Sequence, residues 1–158
     1  MRRHSGFAYL FLLFFVALLA ITALAMGTVQ YYEKTRSDEA ELLRIGAEFR
    51  AALASYHNGI EPHEFPASLD QLLTDQRSPS TRRHLRKIYF DPITRTQEWG
   101  LVIENGRIVG IHSLSEREPL KISGFDPDDA GFEGAKHYSD WVFRADQLAD
   151  VTAGQQNQ

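Results

Sequence analysis

Gly6-Phe7-Ala8-Tyr9-Leu10-Phe11-Leu12-Leu13-Phe14-Phe15-Val16-Ala17-Leu18-Leu19-Ala20, continued by Ile21-Thr22-Ala23-Leu24-Ala25-Met26, is the stretch on which the fold turns. Between Phe7 and Met26 only Tyr9 and Thr22 carry polar side-chain groups, and the first charge after Arg3 is Glu33. About twenty apolar residues rise roughly 30 Å as a helix, which matches the hydrocarbon thickness of a bilayer. Water does not reach backbone groups at that depth, so the run predicts one uninterrupted helix. Arg2 and Arg3 precede it and no further Lys or Arg comes before Lys34, which predicts a cytoplasmic N-terminus and an exported remainder.

Past Tyr32 lie 126 residues, near the commonest size of a single domain. All 21 acids fall in this part with 15 of the 17 Lys and Arg, a balance of about −6 that excludes a basic nucleic-acid binder. The absence of cysteine excludes disulfides, thiol catalysis and thiolate metal sites. Packing alone must hold an exported domain of this kind.

Helical periodicity continues beyond the apolar run. Leu42, Ile45, Phe49, Leu53 and Tyr56 recur at steps of three and four, charged residues fill the other faces, and His57-Asn58-Gly59 supplies a stop. An unbroken helix from Phe7 to Tyr56 would measure roughly 75 Å, with Gly27 and Gly46 as the expected points of bending or loosening. Ser68 with Gln71 reads as a capping box opening a short helix with Leu69, Leu72 and Leu73 on one side. Arg77 to Lys87 is basic and reads as surface loop or short helix. Glu98–Glu104 and Arg107–His112 flank Asn105-Gly106 and predict a β-hairpin, with Trp99, Leu101 and Ile103 lining one face of the first strand and Ile108 and Ile111 part of a face of the second. Further extended segments are expected at Leu120–Ile122 and Tyr138–Phe143.

A basic leader ending in Gly6, followed by Phe7 and the apolar run, resembles the N-terminus of type IV prepilins and type II secretion pseudopilins. Phe65-Pro66-Ala67-Ser68-Leu69-Asp70-Gln71-Leu72 is similar to the segment after the helix in pseudopilins related to the major one. Tyr89-Phe90-Asp91-Pro92 followed by Glu98-Trp99-Gly100-Leu101 is similar to their approach to the first strand. The resemblance implies cleavage between Gly6 and Phe7 by a prepilin peptidase and methylation of the new Phe7 amino group. It also implies a single pass through the inner membrane, a periplasmic head, and partners among other pilin or pseudopilin subunits, the assembly platform and the lipid bilayer. Phe7, Leu10, Phe11, Leu13, Phe14 and Phe15 would supply the membrane and filament packing.

The match departs at Phe11. Assembling subunits usually place glutamate at this fifth mature position, where it pairs with a neighbour's amino terminus; a lone carboxylate in lipid is costly, so its presence marks a function. Phe11 removes that pairing, as in some minor pseudopilins, and fits a minor subunit better than the bulk one. Tyr9 is also unusual. Two other readings of the N-terminus stand beside cleavage at Gly6: an uncut signal anchor on a periplasmic interaction protein, and signal-peptidase cleavage at Ala23-Leu24-Ala25.

Asp126, Asp128 and Asp129, with Glu133, invite a calcium reading because hard cations take several oxygen ligands. Against an EF-hand loop, Ala130 occupies a ligand position and His137 stands where the closing glutamate belongs. A solvated turn is the simpler account, although some major pseudopilins hold calcium in a C-terminal loop. The aromatics Trp99, Trp141, Tyr89, Phe90, Tyr138 and Phe143 read as core, and the basic cluster Arg77–Lys87 as a solvated face or a contact for lipid headgroups or an acidic neighbour. No catalytic fingerprint is present, the histidines are scattered, and no enzyme or cofactor is expected. The expected organisation is α+β: leader 1–6, transmembrane helix 7–32, periplasmic continuation 33–58, pilin-like head 59–148 with a small antiparallel sheet, and disordered tail 149–158.

Overall fold

The computed structural model describes residues 5–145, with backbone alone at 5–6 and 21–29, and the chain divides into two compact units between Ser37 and Asp38. The expectations for the leader before Ser5 and for the tail at 149–158 lie outside the described residues. One helix, α1, runs Ser5–Gly59 and ends on the predicted His57-Asn58-Gly59 stop.

In the N-terminal unit the described apolar side chains run from Phe7 to Ala20 and are all exposed. Among the described residues no helix is long and apolar enough to cross a membrane. The fourteen side chains concerned would rise about 21 Å, and the predicted span drew its remaining length from Ile21–Met26, whose side chains are outside the description.

The head unit begins with the last six turns of α1. Leu42, Ile45, Phe49, Ala52, Leu53 and Tyr56 are buried in the core, while Arg44 bridges Glu41 and Glu48 on the outer face. Gly46 does not loosen the helix. A Cβ there would stand 2.2 Å from the Phe143 ring, so glycine is required by the close approach of an aromatic.

The sheet has three antiparallel strands in the order β1 (Gly100–Glu104), β2 (Arg107–His112), β3 (Phe143–Arg144). Asn105 (φ 51°) and Gly106 (φ 74°) make the turn of the predicted hairpin, both in the left-handed region such a two-residue loop demands. Val102 pairs with Gly110 but Ile103 with Ile108, so Val109 is bulged out of the ladder. That extra residue brings Ile108 and Ile111, three apart, onto one buried face. Leu101 and Ile103 pair with Ile111 and Ile108, yet they do not line the core: β1 is an edge strand, and Ile103 remains 58 % exposed. Trp99, just before the strand, is the buried member of that trio.

Three further expectations are corrected. The short helix α2 forms at Asp70–Leu73 without the capping box; Gln71 Oε1 instead accepts from Ala67 N–H (2.8 Å) and the Tyr56 hydroxyl (3.3 Å). Leu120–Ile122 is not a strand, because the Leu120 and Lys121 N–H groups bond the Glu39 carboxylate rather than a ladder. Tyr138–Phe143 is mostly not extended: Tyr138–Asp140 is a 3-10 turn and only Phe143 enters β3. Tyr138, Trp141 and Phe143 are nevertheless fully buried, and with Phe125 and Phe132 they form an aromatic cluster against α1. Phe90, read as core, is exposed.

Candidate functional site

Phe7, Leu10, Phe11, Leu13, Phe14 and Phe15 all lie on α1 with exposed side chains, Phe7 the most at 76 %. Tyr9, Leu12, Val16, Leu18 and Leu19 are exposed in the remaining directions, so the helix is apolar on every side. Such a helix is stable only in lipid or among other helices, and an exposed apolar surface of this extent marks an interaction site. Gly6 and Phe7 fall in the first turn of α1, which starts at Ser5. Phe11 follows Phe7 by four residues, one turn along the same face. Its phenyl ring carries no charge.

The head contains three buried polar clusters, of which the first two fasten chain segments to α1. Buried Glu39 accepts from Leu120 N–H (2.6 Å), Lys121 N–H (3.2 Å) and the Tyr138 hydroxyl (2.9 Å). Burial, and then the bond to Glu39, hold the Tyr138 phenol well above its ordinary range. Buried Arg50 pairs with Asp129 at 2.7 Å. Asp91, also buried, accepts from Ile93 N–H (2.7 Å) and the Ser113 hydroxyl (2.6 Å), which gives the Asp91-Pro92 segment a structural reason for its acid.

A fourth cluster was not legible in the sequence. Buried Asp75 accepts from Arg77 through Nε (3.0 Å), Nη2 (2.9 Å) and the backbone N–H (3.0 Å), and lies 3.3 Å from His84 Nε2. His84 Nδ1 in turn lies 2.8 Å from Ser55 Oγ. The order Ser55–His84–Asp75 follows that of a proton relay, but the Asp75 carboxylate is already engaged by three N–H groups of Arg77. The evident work of His84 is to clasp the loop to the helix. Arg77 Nη2 also donates to the Tyr56 carbonyl (2.6 Å) and Arg82 to that of Gly59 (3.2 Å), so part of the basic cluster caps the carbonyl end of α1.

The Arg77 hydrogen bonds hold the Asp75 carboxyl well below its ordinary 3.8. A depressed carboxylate stabilises the fold fully above its unfolded value and loses that contribution as pH falls through the folded one. Thermal melts between about pH 2 and 6 are therefore expected to show stability falling below pH 3.8. Asp75→Asn should melt lower at neutral pH and flatten the acid limb, and an unchanged limb would contradict the assignment.

The acidic loop is a 3-10 turn, Pro127–Phe132, in which Asp126 and Asp128 face solvent and Asp129 turns inward to Arg50. The three carboxylates of the calcium reading, the weaker of the two weighed for this loop, thus do not converge on one point. Among the described residues no group of three or more His, Cys, Asp or Glu side chains is placed to hold a metal ion. His57 and His63 stand 5.9 Å apart by ring centroid, and His57 stacks on Phe65. No family model matches the chain, and no curated protein and no solved structure is similar to it.

Proposed function

We propose that this chain is a structural, minor subunit of an inner-membrane filament machine of the type II secretion or type IV pilus class. The observation that carries the reading is α1 from Phe7 to Ala20, apolar and exposed on every side directly after Gly6 and the Arg2-Arg3 leader. Prepilin peptidase would cut between Gly6 and Phe7 on the cytoplasmic side and Phe7 would be N-methylated. The helix waits in lipid, where acyl chains and neighbouring helices compete evenly for its surface. Raised clear of the membrane into a filament, the same surface is driven against other helices. The work is mechanical, and the head faces outward on the periplasmic side.

Phe11 favours a second reading, in which the chain stays in the inner membrane as an uncleaved single-pass anchor for a periplasmic interaction domain. One measurement separates the two. Intact-mass and N-terminal analysis of protein purified from cells with active prepilin peptidase is expected to find a chain beginning at methylated Phe7; an intact Met1 would overturn the filament reading.

A further inference from the structure

The head carries two charged surfaces on opposite sides of α1. Arg44, Glu48, Ala51, Ala52 and Ser55 wall a groove of about 760 Å³, closed on its far side by Leu85, Arg86, Lys87 and Tyr89. Within it Arg44 is taken up by Glu41 and Glu48, whereas Arg86 and Lys87 are both exposed: among the described residues Arg86 forms no ion pair, and Lys87 lies 5.2 Å from the Tyr89 ring centroid and acts on Glu41 only through space. His84 also lines it.

The acidic loop is anchored elsewhere, through Arg50 to Asp129 and through Gly46, on which the ring of Phe143 sits against Phe132. Arg44 and Glu48 precede Gly46 and Arg50 by two residues each, and two residues on a helix are about 200° of rotation. The groove and the loop therefore lie on nearly opposite faces. Asp126, Asp128 and Glu133, on and beside the loop, are exposed, and among the described residues they form no ion pair with Lys or Arg.

We propose that the Arg86–Lys87 groove of one copy receives the Asp126–Glu133 loop of a second copy. Opposed faces cannot meet within one chain or by a two-fold contact. The contact is heterologous, each copy offering a groove on one side and a loop on the other, and it repeats. Charge complementarity sets partner and register more than raw affinity. The surface is independent of the helix contacts on which the filament reading rests, and its failure would leave that reading standing.

The chain lacks cysteine, which makes disulfide trapping clean. In detergent micelles, full-length Arg86→Cys chains mixed with Asp128→Cys chains are expected, on mild oxidation, to give mixed dimers that stop at two. A single chain bearing both substitutions should give a ladder of dimers, trimers and longer species. In the double-cysteine chain, Lys87→Glu should weaken the ladder about tenfold, and adding Asp126→Lys should restore it. Both sites are exposed, so unchanged melting curves verify the fold. Dimers joined only between like positions, or no crosslinking while the variants stay folded, would overturn the proposal.

Discussion

Replacing Arg50 with alanine is expected to lower the head's unfolding free energy by about 3–5 kcal/mol. The two partners, 4 % and 9 % exposed at their side chains, meet at 2.7 Å, so the variant leaves the Asp129 carboxylate buried and uncompensated. The converse change, Asp129→Ala, strands a guanidinium against the Phe143 ring, 5.6 Å from its centroid, with a similar loss. Exchanging both for apolar residues, Arg50→Met with Asp129→Leu, should cost far less than either single change. The pair is poorly compensated even in the parent, because Arg50 Nε is buried without a partner. Denaturant unfolding of the full chain, followed by fluorescence of Trp99 and Trp141, measures all three. Additive losses would show that the two groups do not act as a pair.

Gly46→Ala should destabilise the head by about 1–3 kcal/mol through overpacking, although alanine improves helix propensity by about 1 kcal/mol. A Cβ would meet three atoms of the Phe143 ring at 2.2–2.4 Å. The ring cannot retreat, being held edge-on by Phe132 at 5.1 Å. Phe143→Ala alone is expected to cost about 3–5 kcal/mol. In that background the sign of Gly46→Ala reverses, because the obstacle is gone and only the gain in propensity remains. A double-mutant cycle that kept the same sign in both backgrounds would refute this account.

The hairpin and the helix were legible because their signals are local: Asn105-Gly106 dictates its own turn, and Leu42, Ile45, Phe49, Leu53 and Tyr56 mark one stripe by spacing. The misread elements share a distant cause. Leu120–Ile122 looked extended, but its N–H groups are claimed by a carboxylate about 80 positions earlier. Gln71 looked like a cap and is recruited by Tyr56 from across the core. Arg77 looked like a solvated charge and is instead the hub of a buried cluster; Asp75 two residues before it was the one available hint. Asp129 looked like part of a solvated turn, with a cation ligand as the weaker alternative, and is the partner of Arg50. Leu101 and Ile103 alternate as core residues do, and no local pattern tells an edge strand from a central one.

Glu39 waits for Tyr138, 99 positions later, and Arg50 for Asp129, 79 positions later. During synthesis the buried stripe of α1 is thus made first and covered last, when the segment through Phe143 arrives to close over Gly46. No early fragment contains the parts needed to shut the core, so the chain leaves the ribosome with its core still open, and a stop codon shortly before Phe143 would forfeit the whole head rather than its final strand.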